Sequence, residues 1–306
     1  MITIQLANSN PHSFGSGLAT KVKGESLPEI TEAAINDFCY CEVECEYIAN
    51  VFAEVGGEDY KNDKSQFLFR RFVASDTVEI ELYKDGIKVA DLNDNTYGTF
   101  YNGFASGTAE QQLYFGFLLE WEDVYNLLGA GEYQIKSQLS IIGIASTFES
   151  ELYQLMGYSD EAADGTVKIE TVQNGNIMSS IFDFTGLDWN QSVRIRGSFV
   201  EDGEEFEKII YKTQEYRQEQ VQDKIVENWS LRADLIPRSV SEFLTKNAVL
   251  SNSFNVTDYN LLNEKILRKI EVYPESIEKT PITDNRNSNY VIKFTSRNDN
   301  IIKRNF

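Results

Sequence analysis

Three cysteines, Cys39, Cys41 and Cys45, crowd into one short stretch, and a thiol cluster of that density is the first place to look for zinc or a disulfide. Their spacing argues for packing instead. In Phe38-Cys-Tyr-Cys-Glu-Val-Glu-Cys-Glu-Tyr-Ile48 the odd positions carry Cys39, Cys41, Val43, Cys45 and Tyr47, while the even positions from 42 to 46 are all Glu. That is the period of a half-buried strand. Side chains two apart on a strand stand about 6.5–7 Å from one another, too far for a disulfide and awkward for a single tetrahedral ion. A fourth zinc ligand would have to come from His12, the sole histidine, in a segment of Asn, Ser, Pro and Gly with nothing to position it. The expectation is therefore a core strand with reduced thiols and no metal, which fits assembly in a cytoplasm.

Nucleophilic catalysis fares no better, because a triad needs a base to take the hydroxyl or thiol proton and His12 is the only imidazole. Gly15-Ser-Gly17-Leu-Ala-Thr-Lys21 lacks both the spacing and the strand–helix setting of a phosphate cradle. Asp91-Leu-Asn93-Asp-Asn95 resembles a calcium loop until Thr96 falls where Gly is needed and Asn102 where a bidentate Glu is needed. It reads as a turn. Asp183 and Asp188 are the best-placed acids for a glycosidase pair, yet nothing around Phe184-Thr-Gly-Leu187 would raise either pKa. Trp121, Trp189 and Trp229 could stack on sugar rings, although core packing is the commoner fate of tryptophan. No catalytic, cofactor-binding or metal-binding residue is assigned, and the chain is read as non-enzymatic.

The elements behind these residues are mostly strands. In Thr77–Leu92, Val78, Ile80 and Leu82 alternate with Thr77, Glu79 and Glu81, and Lys84-Asp85-Gly86 turns the chain into Ile87-Lys-Val89, a β-hairpin. Gly56-Gly-Glu-Asp59 is a turn before an apolar strand over Gln66–Val73. Trp121, Val124, Tyr125 and Leu128 recur at helical spacing and Gly129 stops them, so a short amphipathic helix precedes a strand at Tyr133–Ile141. Asn-Gly at 174–175 predicts a second hairpin between Val167–Ile169 and Ile177. Val193–Phe199 alternates. Between Gln220 and Ile236 the apolar residues Val221, Ile225, Trp229, Leu231, Ala233 and Leu235 all fall on odd positions, which favours a long strand over a helix. After Pro237, Ser239 or Ser241 caps a helix to about Leu250. Strands follow at Lys269–Tyr273 and Tyr290–Phe294, and Ile301–Phe306 is expected to pair with the latter.

Length and charge bound the whole. At 306 residues the chain suggests two domains, and the small, acidic stretch Gly157–Gly165 is the best boundary. The expectation is a mainly β protein of two β-sandwich-like domains with a few short helices: an extended N-terminal arm over 1–29, a first β-rich domain over 30–157 and a second over 165–306 with a basic C-terminal tail. A net charge of −20 opposes nucleic-acid binding through phosphate neutralisation. The charge is uneven: Thr31–Lys64 is acidic, whereas Asn285–Phe306 carries Arg286, Lys293, Arg297, Lys303 and Arg304 against one Asp. No stretch approaches the roughly 20 apolar residues of a membrane span, and the N-terminus has no secretory pattern.

Motif order adds a resemblance. Arg194-Ile-Arg-Gly-Ser-Phe199, the Glu-rich turn after it, Tyr216-Arg-Gln through Trp229-Ser-Leu231, the segment after Pro237, Thr257-Asp-Tyr-Asn260, and a closing strand with a basic tail resemble virion proteins of tailed bacteriophages. Within these, the likeness is to the ring proteins between portal and tail of the crAss-like phages that infect gut Bacteroidota. Tyr97-Gly-Thr-Phe-Tyr101 and Gly129-Ala-Gly-Glu-Tyr-Gln-Ile-Lys136 extend it over residues 90–306. The resemblance implies a cyclic homo-oligomer in the neck or tail of the virion, assembled in the host cytoplasm. It would contact portal, ring and tail proteins and passively enclose passing DNA. It carries over no catalytic residues, cofactor or membrane association. The alternative reading is a β-sandwich adhesin or carbohydrate-binding module of a fibre or cell surface.

Overall fold

A computed structural model describes residues 14–16, 48–70, 77–102, 114–141, 144–173, 176–177, 182–183, 189–212, 218–237, 244, 248, 251–261, 268–281, 287–296 and 300–303. The protein is mainly β. In the first half β1 (Phe14–Ser16), β2 (Ile48–Ala53), β3 (Lys64–Arg70), β4 (Thr77–Lys84), β5 (Ile87–Asp91), β6 (Gly98–Asn102) and β7 (Tyr114–Glu120) precede helix α1 (Trp121–Leu128). Then come β8 (Gly131–Ile141), β9 (Ile144–Gly157) and the single turn α2 (Asp160–Ala163). In the second half lie β10 (Thr166–Gln173), β11 (Asn176–Ile177), β12 (Phe182–Asp183), β13 (Trp189–Lys212), β14 (Gln218–Pro237), β15 (Ser253–Asp258), β16 (Arg268–Pro281), β17 (Asn287–Ser296) and β18 (Asn300–Lys303).

Two sheets make the first unit. One runs β1–β9–β8–β4–β5, with β2 parallel to β9 and sharing an edge of that strand with β1; the other is β3–β7–β6. Alternation drives their packing: Ile80 and Leu82 of β4, Phe117 and Leu119 of β7, and Tyr133 and Ile135 of β8 are buried together with Trp121 and Val124 of α1. The indole of Trp121 donates to Ser65 Oγ at 2.9 Å, so the largest buried side chain leaves no orphaned N–H. The β4–β5 hairpin, α1 and β8 stand where the sequence places them. Of the arm expected over 1–29, the described residues 14–16 form β1, opposite Phe148–Ser150.

The second unit is a sandwich closed at two corners. One sheet is β13–β10–β15–β16 and the other β13–β14–β17–β16, because β13 pairs with β10 through residue 196 and with β14 from Gly197 onward. Likewise β16 leaves β15 at Glu271 and joins β17 at Val272. Strands that switch sheets in this way remove edges that would otherwise be open. At the first corner only glycine fits, since a Cβ on Gly197 would stand 2.5 Å from the carbonyl oxygen of Arg232. Inside lie Val167 and Ile169, Val193 and Ile195, Phe254 and Val256, with Phe199 stacked on Trp229 at 5.1 Å.

Two pairings differ from the sequence expectation. Strand β10 has both edges occupied, by β13 and β15, so Ile177 pairs with Phe182 and forms no hairpin with Val167–Ile169. Strand β17 is likewise filled by β14 and β16, so β18 pairs with Gln222–Ile225 of β14 instead of with β17. The cysteine strand lies outside the described residues, as does most of the helix expected before Leu250, although its Leu244 and Ala248 are buried in the second core.

Candidate functional site

The densest set of buried charge sits between the two cores. Alternation along β10 sends Val167 and Ile169 inward and Lys168 outward; along β13 it sends Val193 and Ile195 inward and Arg194 outward. The outer face of a sandwich is normally wet. Here the β2–β3 connection lies over it, and the Lys168 side chain is 0% exposed and that of Arg194 3%.

The connection is held rigidly enough to act as a lid. Gly56 turns it with φ of 70° and Gly57 N–H closes onto Glu54 O at 2.8 Å. Asn62 Oδ1 accepts from Glu54 N–H at 2.7 Å, while Asn62 Nδ2 donates to Glu122 Oε2 at 2.8 Å. Glu122 Oε1 in turn accepts from Gly56 N–H at 2.7 Å, so the first turn of α1 fixes the loop from behind. This leaves the carbonyls of Asp59 and Asn62 aimed at Lys168 Nζ, which donates to them at 3.2 and 2.8 Å.

Beside it, Arg194 makes a fork-to-fork pair with Asp63: Nε donates to Oδ2 and Nη2 to Oδ1, both at 2.8 Å. Phe52 N–H adds a third bond to Asp63 Oδ2 at 2.9 Å, and Arg194 Nη1 donates to Thr166 Oγ1 at 3.0 Å. The guanidinium also lies between two rings, 4.9 Å from Phe52 of the first unit and 4.1 Å from Tyr259 of the second. Tyr259 Oη donates to the carbonyl of Tyr60, and Tyr158 packs edge-on against Tyr60 and Tyr259 at 6.1 and 6.2 Å. Behind them Asn260 Nδ2 donates to Gly197 O at 3.1 Å, tying the β13 corner to the end of β15. The two motifs Arg194–Phe199 and Thr257–Asn260 therefore meet at this one node.

Electrostatics favour a permanent clamp. Burial works against the charge of Arg194, but Asp63 alongside more than offsets it and raises its pKa. Burial also raises Tyr259, with Arg194 opposing, and raises Tyr158, whose hydroxyl donates to Asp160. Each of these groups already has its partners, and among the described residues of the cluster no nucleophile stands beside a base. What this arrangement does chemically is bind two β-units face to face.

The residues weighed from the sequence fall elsewhere. Trp121 and Trp229 are buried core residues, and Trp189 opens β13 opposite Gln173. Leu92–Asp94 is a 3-10 turn in which Asn93 and Asp94 accept from Ile80 and Thr96 N–H groups, as a turn reading requires. Asp183 lies in β12, Gly15 in β1, and Asp188, His12 and the three cysteines are outside the described residues. Among the described residues no group of three or more His, Cys, Asp and Glu is arranged to hold a metal, and no helix is long and apolar enough to cross a membrane. Sequence reading did not single out Asp63 or Lys168, and nothing in the pattern distinguishes Lys168 from a solvated strand residue.

No family model matches the chain, and no curated protein matches it. A crystal structure of a structural-genomics protein of unknown function from Bacteroides ovatus is similar at 8% identity and a TM-score of 0.16, over 84% of this chain and 95% of that one. A likeness at that score carries no argument.

Proposed function

We propose that this chain is a virion structural protein of a tailed bacteriophage, forming a homo-oligomeric ring in the neck or tail that joins portal and tail around the DNA channel. Its work is contact, not catalysis. The observation that supports this most is the junction: the charged side chains best placed for chemistry are spent on locking two β-units into one body. A ring subunit held between portal and tail must transmit load without hinging. Two of the motifs behind the resemblance contribute to that lock through Arg194 and Tyr259. The net charge of −20 suits a channel through which DNA slides, because like charge keeps phosphates from adhering.

Mass photometry and negative-stain electron microscopy of the purified chain test the reading. Closed rings or stacked ladders are the expected outcome. A concentration-independent monomer that binds glycans would favour a carbohydrate-binding module instead, and a measured turnover would overturn both.

A further inference from the structure

The second unit has two unlike open edges at one end. From Val200 to Lys212 strand β13 is paired only with β14, because β10 ends opposite Arg196, and among the described residues no strand pairs with its other edge. At about 3.3 Å per residue this edge runs roughly 43 Å, and an edge of that length is a template for another chain. On the far side of β14 the sheet ends at β18, whose outer edge is equally uncovered among the described residues.

We infer that the bare edge of β13 receives β18 of a second copy, so that the ribbon β18–β14–β13 continues from copy to copy as one sheet. This rests on the ring reading and names the surface that would close the ring. The charge selects the partner. The β13 segment carries Glu201, Asp202, Glu204, Glu205 and Glu207 against Lys208 and Lys212 and is acidic on balance, whereas β18 is Asn-Ile-Ile-Lys with Lys303 and no acid. Two β13 edges brought together would join two segments of the same net negative charge, which is unfavourable across a strand pair, so a two-fold dimer through this edge is opposed. A joint between different edges is heterologous, and such joints build rings when the rotation closes. Since β18 and β13 are each antiparallel to β14, they run in the same direction and the joint is parallel.

The geometry supplies a test in which the two introduced thiols cannot bridge within one copy. Lys224 faces both Glu207 and Ile301, so those two residues lie two strand spacings apart within one copy. That is about 9.6 Å, beyond the roughly 7 Å limit for bridging Cα atoms. The native chain, Ile301→Cys alone, and Ile301→Cys combined in turn with Glu205→Cys, Glu207→Cys and Ile209→Cys would be oxidised and run on non-reducing gels. A ladder of covalent dimers, trimers and higher species from at least one double variant, absent from the native chain and the single variant, is expected. A second, cysteine-free arm uses Glu204→Lys, Glu205→Lys and Glu207→Lys together, which should disperse rings, and adds Lys303→Glu, which should restore them. Rings that persist in electron microscopy with no ladder and no charge rescue would overturn this joint while leaving the ring reading intact. A covalent species that stops at the dimer would also overturn it. Monomers at every concentration would remove both.

Discussion

At the scale of single residues, the junction is where side-chain chemistry and stability are most tightly bound. Arg194 and Asp63 are each almost wholly out of water, with side chains 3% and 4% exposed. Breaking a buried ion pair from one side leaves the other charge uncompensated, which typically costs about 3–5 kcal/mol. Asp63→Asn should therefore lower the unfolding free energy obtained from urea titration by an amount in that range, because an amide cannot offset the Arg194 charge. Lys168→Met keeps the buried stem but strips the donor from two carbonyls and the counter-charge from Glu170, 3.5 Å away and still reached by water, and should cost less, about 1–3 kcal/mol. Equal losses for the two variants would mean that charge compensation is not what matters there. Tyr133 offers a pH-dependent counterpart. Burial pushes its hydroxyl, which donates to Gly129 O at 2.7 Å, from 10.0 up to about 12. Because the folded value is raised, its contribution is complete below pH 10 and is lost as pH rises toward 12. Tyr133→Phe should thus be slightly less stable at neutral pH yet show a shallower decline from pH 10 to 12 in urea titrations.

At the scale of elements, turns and corners carry backbone demands that can be separated by substitution. The β4–β5 turn places Asp85 at φ of 50° and Gly86 at 77°, and nothing stands within 4 Å of a Cβ on Gly86. Gly86→Ala should cost only the left-handed backbone penalty, about 1 kcal/mol. Gly197→Ala should cost more and broaden the unfolding transition, because its Cβ meets a neighbouring carbonyl. A cheaper Gly197→Ala would show that the corner can shift. The turn at Asp85 was legible because alternation and turn chemistry agree over the same residues. Strand β14 was legible because Trp229, Leu231 and Ala233 keep one parity. Strand β9 was not, and a bulge is the reason: Gln134 pairs with Leu152 and Lys136 with Glu149, so Ser150 and Glu151 both stand against Ile135. The buried phase then jumps from Ser150 to Tyr153 and Leu155, erasing the period, and Ser150 Oγ takes up the Ile135 N–H at 2.9 Å. Lys168 escaped notice, and Arg194 was noted only as part of a motif and not as a junction residue, for a different reason. They occupy the outward phase of their strands, and only the fold brings the 54–63 loop over them.

For the whole molecule the question is whether two cores behave as one. Val51 through Leu155 and Val167 through Ile292 form separate buried clusters, each built from two sheets, so each unit has the apolar content to unfold on its own. What opposes independence is the polarity of the surface between them. If the first unit melted alone, Arg194 and Lys168 would lose Asp63 and the carbonyls of Asp59 and Asn62, and Tyr259 would lose the Tyr60 carbonyl. If the second melted alone, Asp63 would be left beside Phe52 without its counter-charge. Either partial state discards several directional bonds at once, which couples the two transitions. Differential scanning calorimetry of the native chain should accordingly show a single transition whose calorimetric and van't Hoff enthalpies agree. In the double variant Lys168→Met, Arg194→Met the interface keeps its area but loses its anchors, and the trace should separate into two transitions, the second unit's closed sandwich melting last. Two resolved transitions in the native chain would show that the buried pair and its lysine do not join the units mechanically.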